Sequence, residues 1–178
     1  MLANEQLKMW QTEFKKLKRQ ADRAVAQVRP DDLFRSLDDE SNNIAILMKH
    51  IAGHMRSRWT DFLDADGEKL DRNRDAEFMV DEETPESVRQ QWEAAWKLLF
   101  DGLQSLQPED LEKAVLVRGE QQAVPEAVFR QMHHYASHVG QIVLLAKHLA
   151  GDRWQTLSIP RGQSAEYNSA MRQKWSKT

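Results

Sequence analysis

The chain contains no cysteine among its 178 residues. Disulfides, thiolate catalysis and cysteine-based zinc or iron–sulfur sites are therefore excluded, and any transition metal must be held by His, Asp or Glu. No stretch approaches the roughly 20 apolar residues that a membrane-spanning helix needs. The first residues also lack the basic segment and the apolar core of a signal peptide. We therefore expect a cytoplasmic protein with no membrane partner.

The chain also has little net charge, with a formal value of −3 at pH 7. This balance gives no electrostatic reason to expect nucleic acid as a partner. Apolar residues make up 40% and charged residues 30%, which favours a globular fold over disorder. The length suits one domain over residues 1–178. There is no glycine-rich phosphate loop and no serine motif of the acyl-transfer kind.

Four long segments carry apolar residues at helical spacing. They end at proline or glycine signals, because proline and glycine punctuate helices. The predicted helices run from about Asn4 to Val28, from Ser41 or Asn42 towards Gly67, from Thr84 to Gln107, and from Val124 to Ala150. Four amphipathic helices of this length predict an all-α fold, specifically a four-helix bundle.

The connecting segments carry less information. Residues 64–84 are strongly charged and predict a long loop between the second and third helices, with a small apolar turn at Phe78–Val80. Residues 114–117 indicate either a short β-strand or an extended connection. The last 27 residues predict an irregular tail, in which Trp154, Leu157 and Ile159 pack back onto the bundle.

Five of the six histidines form two clusters on predicted helices. His134 and His138 lie four residues apart, so they project from one helix face about 5–6 Å apart at Cβ. Both imidazoles can therefore hold one metal ion at about 2.0–2.1 Å. His50 and His54 form a second such pair at compatible depth, and bundles build metal sites from facing helices. Surface or hydrogen-bonded core histidines remain the alternative interpretation.

Two histidines, His133 within the second cluster and His148 outside both, fit the site less well. His133 points about 100° away from His134 around the helix, so it cannot join the same pair. His148 lies ten residues beyond His138 and is predicted at the surface.

The motifs together resemble those of the DinB-like metal-binding superfamily. The resemblance rests on one histidine in the second helix, followed in the fourth by His-x-x-x-His and Gly140-Gln141-Ile142. The stretches KHIAGHMRSRWTDFL and IPRGQSAEYN are similar to the DUF1572 branch. The resemblance covers nearly the whole chain. It implies a bundle with up-down-down-up topology, a bound divalent metal, and a homodimer.

Carried onto this chain, the resemblance implies that His50, His134 and His138 bind the metal. Many relatives have arginine directly after the last ligand, where this chain has Val139, so any role of that arginine is absent. His54 is an additional imidazole on the second helix, and it leaves open which histidine of that helix binds.

Three neutral imidazoles suit Zn²⁺, Ni²⁺ or Fe²⁺. Three protein ligands leave an open position, as catalytic sites do. The resemblance implies a thiol-dependent transferase or isomerase activity, in which the metal activates a low-molecular-weight thiol. Hydrolysis is the other reaction for which such a metal site could be used. His54 is a candidate general base, and Gln141 is a candidate hydrogen-bond partner of a ligand or of bound water. Both could equally be ordinary polar residues.

Two functional hypotheses follow. The first is a metal-dependent enzyme, a thiol transferase or a hydrolase, acting on a small electrophilic molecule. The second is a non-catalytic metal-binding or structural bundle.

Arg56, Arg58 and Arg161 are predicted to be solvated or in salt bridges rather than to bind a substrate carboxylate.

Overall fold

The computed structural model describes residues 2–176 and is mostly helical in that range, which confirms the prediction of a helical chain. Its α-helices are α1 (Leu2–Val25), α2 (Ile44–Trp59), α3 (Pro85–Ser105), α4 (Val124–Ala150) and α5 (Ser164–Trp175). Two short antiparallel strands, β1 (Ala114–Val117) and β2 (Glu120–Ala123), precede α4. No helix within residues 2–176 combines the length and apolar character of a membrane-spanning segment.

The predicted helix starts lie close to the observed ones, and local capping explains them. The Asn43 side chain accepts a hydrogen bond from the Ile46 backbone N–H at 2.9 Å, so α2 begins one or two residues later than predicted. At α3, Thr84 and Ser87 form a reciprocal capping box, and Pro85 between them is the first residue of the helix. Such caps satisfy backbone donors that have no partner inside the helix.

The helix ends differ more from the prediction. The first helix ends at Val25, three residues before Val28, and α2 ends at Trp59 rather than near Gly67. The Thr60 hydroxyl donates to the Arg56 carbonyl at 2.7 Å, and Asp61 adopts a φ of 48°. This left-handed conformation interrupts a right-handed helix, so the chain leaves α2 early.

The core lies between the four long helices. Helix α2 packs mainly against α3, α1 packs mainly against α4, and α2 also contacts α4. The predicted core tryptophans, Trp59, Trp92 and Trp96, are all buried. Trp92 also donates a hydrogen bond from Nε1 to Asp22 Oδ1 at 2.9 Å, which ties α3 to α1.

The charged segment between α2 and α3 is a loop, as predicted, but it is fixed at several points. Residues Asp75–Phe78 form a 3-10 turn that packs against α2. The Asp66 carboxylate accepts hydrogen bonds from the backbone N–H groups of Arg118 and Gly119, at 2.8 and 2.7 Å. These two residues have positive φ values of 56° and 76°, as a tight hairpin turn requires. The loop and the hairpin are therefore joined.

The C-terminal segment corrects the prediction of an irregular tail, because Ser164–Trp175 forms helix α5. None of its side chains is buried. The segment therefore has no apolar stripe facing a core, and apolar periodicity is the signal from which helices are predicted. Trp154 and Leu157 pack against the core as predicted, whereas Ile159 remains 37% exposed.

Glu83 stabilises the start of α3 in a pH-dependent way. Burial alone raises its pKa, but hydrogen bonds from Lys49, Ser87 and Gln91 outweigh burial and lower the pKa from 4.5 to about 2. A carboxyl group with a lowered pKa contributes stability above its unfolded pKa and loses it as the pH falls towards the folded pKa. Glu83→Gln is therefore expected to cost about 1 kcal/mol at pH 7.

The cost of Glu83→Gln should shrink as the pH falls from about 4.5 towards 2. Urea unfolding at pH 7 and pH 3 measures it, with the exposed neighbour Glu82→Gln as the matched control. An equal destabilisation at both pH values would contradict the role of the Glu83 charge.

Candidate metal centre

Three histidines from two helices meet in the interior. His50 lies on α2, and His134 and His138 lie one turn apart on α4, which packs against α2. Each of the three residues offers one ring nitrogen, and these three nitrogens all lie within 4.8 Å of one another. His134 Nε2 is 3.3 Å from His50 Nε2 and 2.9 Å from His138 Nε2. We call these three residues the histidine cluster.

The spacing of the cluster suits one divalent ion. Ligand nitrogens at about 2.05 Å from a metal are separated by about 3.3 Å in a tetrahedron and about 2.9 Å for neighbours in an octahedron. The two distances that involve His134 Nε2 fall at these values. Two of the three nitrogen separations therefore already suit a bound metal, and the third, between His50 and His138, is no more than 4.8 Å.

Hydrogen bonds on the opposite ring nitrogens determine which nitrogen faces the centre. His50 Nδ1 donates to the Glu77 carboxylate at 2.8 Å, and His138 Nδ1 donates to Gln141 Oε1 at 3.0 Å. In the neutral imidazole, a proton on Nδ1 leaves a lone pair on Nε2. The lone pairs of His50 and His138 thus both point towards His134, which as a single imidazole can satisfy only one of them.

Glu77 is the site residue that the sequence interpretation missed. Its carboxylate also pairs with Arg72 through Nε and Nη2, at 2.8 and 3.0 Å. Burial by itself raises the pKa of the Glu77 carboxyl, but the hydrogen bonds from His50 and Arg72 lower it below its usual range. A carboxylate on the outer nitrogen of a metal-binding histidine fixes the ring orientation and raises its basicity.

Gly53 provides the space that Glu77 occupies. A Cβ atom at this position would lie 2.5 Å from Glu77 Oε1, closer than real contacts allow. A glycine inside a helix costs about 1 kcal/mol relative to alanine, so its presence there signals a close approach. Gly53, between His50 and His54, was therefore the sequence signal for a group packed against α2.

His134 and His138 are uncharged at neutral pH in the absence of a metal, because the pKa of each ring is lowered. Burial, together with the neighbouring imidazoles of His138 and His50, lowers the pKa of His134 to about 3. Burial also lowers the pKa of His138, against a hydrogen bond to Gln141 that raises it. Neutral imidazole is the form that binds metals, so protons compete weakly here.

The other histidines lie outside the cluster. His54 Nδ1 lies 3.1 Å from the Tyr135 hydroxyl, and its ring centre lies 4.3 Å from that of His134. Burial and then the neighbouring His134 lower the pKa of His54 well below 6.5, so this ring is also neutral. His133 and His148 are exposed, as the helical geometry predicts for His148.

A cavity of about 420 Å³ adjoins the cluster. His50, His54 and His134 contribute to one part of its wall, and arginines from α2, the charged loop, the hairpin and α4 contribute to the rest. A cavity of this size can hold a small molecule. The predicted residues His50 and His54 thus both face space that is available to a ligand, and Gln141 contacts His138.

Residues 1–163 match the model of a family described as "Protein of unknown function (DUF1572)". No curated protein and no solved structure matches the chain.

Proposed function

The chain belongs to the DUF1572 family, and from this premise we propose that it binds a divalent metal through His50, His134 and His138 and uses it as an enzyme on a small molecule. The reaction class that we favour is transfer to or from a low-molecular-weight thiol, with hydrolysis as the related alternative. We further propose a homodimer, as the resemblance to DinB-like proteins implies, and a cytoplasmic location, as the composition of the chain favours.

One observation carries the metal proposal. Glu77 and Gln141 accept hydrogen bonds from the outer nitrogens of His50 and His138, so both Nε2 lone pairs are directed at His134. Converging lone pairs repel each other unless a cation or a proton lies between them. Three imidazoles without a carboxylate or thiolate ligand suit Zn²⁺, Ni²⁺ or Fe²⁺.

We also propose the up-down-down-up bundle of the DinB-like superfamily. Two contacts support parallel α2 and α3. The first is the Lys49–Glu83 ion pair of 2.8 Å near the two helix starts. The second is the close packing of Trp59 on Gly102 near the two ends. The long loop of residues 60–84 is the return connection that parallel neighbours need.

Contacts between the histidine-bearing helices support the remaining directions. His50 lies beside His138, and His54 lies beside His134, so residue numbers rise along α2 as they fall along α4. These contacts support the antiparallel arrangement of α2 and α4 that the proposed topology requires. We also propose that residues 1–178 form a single domain.

Enzymatic use is favoured over a purely structural role because three protein ligands leave a coordination position open beside a cavity. A metal bound there would lower the pKa of a coordinated water or thiol and make it a nucleophile near neutral pH. His54 is neutral and lines the cavity, so it can accept a proton from a group bound there. Gln141 holds the ring of His138 in position.

Reconstitution of the purified protein with Co²⁺ tests the proposal directly. We expect the protein to bind about one Co²⁺ ion per chain and to show the visible absorption of a low-coordinate Co²⁺ site with nitrogen ligands. This absorption should shift when a small thiol such as 2-mercaptoethanol is added. A spectrum that does not respond to thiol would contradict an open, thiol-accessible position. Failure to take up stoichiometric metal would refute the site itself.

The rival hypothesis, a non-catalytic metal-binding bundle, differs in its response to chelation. A screen for conjugation of small electrophiles with low-molecular-weight thiols should give activity that is lost with a chelator and restored by metal. Metal binding without any such activity would favour the rival.

A further inference from the structure

The cavity beside the histidine cluster is strongly cationic. Besides four histidines, its wall contains five arginines, namely Arg58, Arg72, Arg74, Arg118 and Arg130. We propose that this wall is an anion-binding subsite and that the small molecule brought to the metal carries a carboxylate or a phosphate group. This inference rests on the proposed function, and it specifies the substrate class.

The inner arginines already have carboxylate partners. Arg58 donates to Glu68 at 2.9 Å and to the Gly67 carbonyl, and Arg72 pairs with Glu77 and Glu68. Burial lowers the pKa of the Arg58 guanidinium, and the pairing with Glu68 opposes this effect. Both side chains are almost fully buried, so their positive charges are held at fixed positions beneath the cavity.

The outer arginines have fewer carboxylate partners than the inner pair. We call Arg74, Arg118 and Arg130 the arginine rim. Arg74 stacks over the Phe78 ring at 5.0 Å, and Arg118 shares Glu68 with the inner pair at 3.3 Å. Within residues 2–176, the side chain of Arg130 makes no hydrogen bond or ion pair.

The charge balance of the wall therefore remains positive. Five guanidinium groups face two paired carboxylates, Glu68 and Glu77. A divalent ion at the histidine cluster would add further positive charge at the cavity floor. Guanidinium groups bind carboxylate and phosphate in a bidentate manner, and they do so more strongly at a site partly shielded from water.

A neutral polar group suggests a second requirement of the ligand. Gln122 lines the same cavity and is 6% exposed, and its Oε1 accepts no hydrogen bond from the described residues. A buried acceptor without a partner costs free energy that a ligand can recover. A small acid that also carries an N–H or O–H donor fits this wall better than a simple anion.

Isothermal titration of the metal-loaded protein with malonate and with inorganic phosphate tests the proposal. We expect Arg130→Ala to weaken anion binding about tenfold, because it removes a charge-assisted contact. The matched control, Arg89→Ala, removes an exposed arginine of α3 that does not line the cavity, and it should leave binding unchanged. Tighter malonate binding would indicate an organic acid, and tighter phosphate binding a phosphorylated substrate.

Two results would overturn the subsite. One is the absence of binding for both probes, and the other is equal affinity in the wild-type protein and Arg130→Ala. Metal content measured on the same samples separates the two proposals. If the protein takes up no metal but the metal-free form still binds malonate through Arg130, the metal proposal fails and the anion subsite stands. If metal binds normally and Arg130→Ala has no effect, only the subsite fails.

Discussion

Replacing His134 by alanine is expected to abolish stoichiometric metal binding and to weaken affinity by at least about a hundredfold. His134 Nε2 is the central atom of the cluster, because it lies within 3.3 Å of His50 Nε2 and 2.9 Å of His138 Nε2. Without it, two imidazoles remain, and two ligands do not retain a divalent ion against a competing chelator. Metal analysis after dialysis measures the loss.

Thermal unfolding provides a second measurement on the same variant. Metal that binds the native state alone raises the unfolding temperature of the wild-type protein, and this increase should disappear in His134→Ala. His148→Ala is the matched control, since it removes an exposed imidazole from the same helix. Full metal content in His134→Ala would show that the ion binds elsewhere.

The sequence predicted the parts of the site that depend on local geometry. A spacing of four residues places His134 and His138 on one face of any α-helix, whatever surrounds it. The four long helices were predictable for the same reason, because apolar periodicity is a local signal. Helical spacing and depth left both His50 and His54 as candidates for the third ligand, and the choice of His50 came from the resemblance to DinB-like proteins.

The parts of the site that the sequence did not predict, Glu77 and the arginine rim, depend on contacts between segments that are distant in the chain. Glu77 belongs to a charged stretch of the chain, and nothing in its neighbours distinguishes it from the exposed Asp75. Only the packing of its 3-10 turn against α2 makes it a partner of His50. The arginine rim was likewise unpredictable, because its members come from the loop, the hairpin and α4.

Glu77 therefore supports the second prediction with a large effect. Its carboxylate lies between a candidate metal ligand and a buried cation, His50 Nδ1 at 2.8 Å and Arg72 Nε at 2.8 Å. Removing one partner of a buried ion pair costs up to about 3–5 kcal/mol, and Arg72 would here retain only Glu68, at 3.2 Å. Loss of the carboxylate also frees the ring of His50, and such changes weaken metal binding about 10- to 100-fold.

Glu77→Ala should accordingly unfold at lower urea concentration than the wild-type protein and bind metal more weakly. Glu77→Gln separates the two effects, because its amide oxygen can still accept a hydrogen bond from His50 Nδ1–H while its neutral amide cannot balance the charge of Arg72. We expect Glu77→Gln to lose stability but to keep most of the metal affinity. Asp75→Ala, an exposed carboxylate of the same turn, is the control. Wild-type metal affinity in a folded Glu77→Ala protein would mean that Glu77 stabilises the loop without orienting His50.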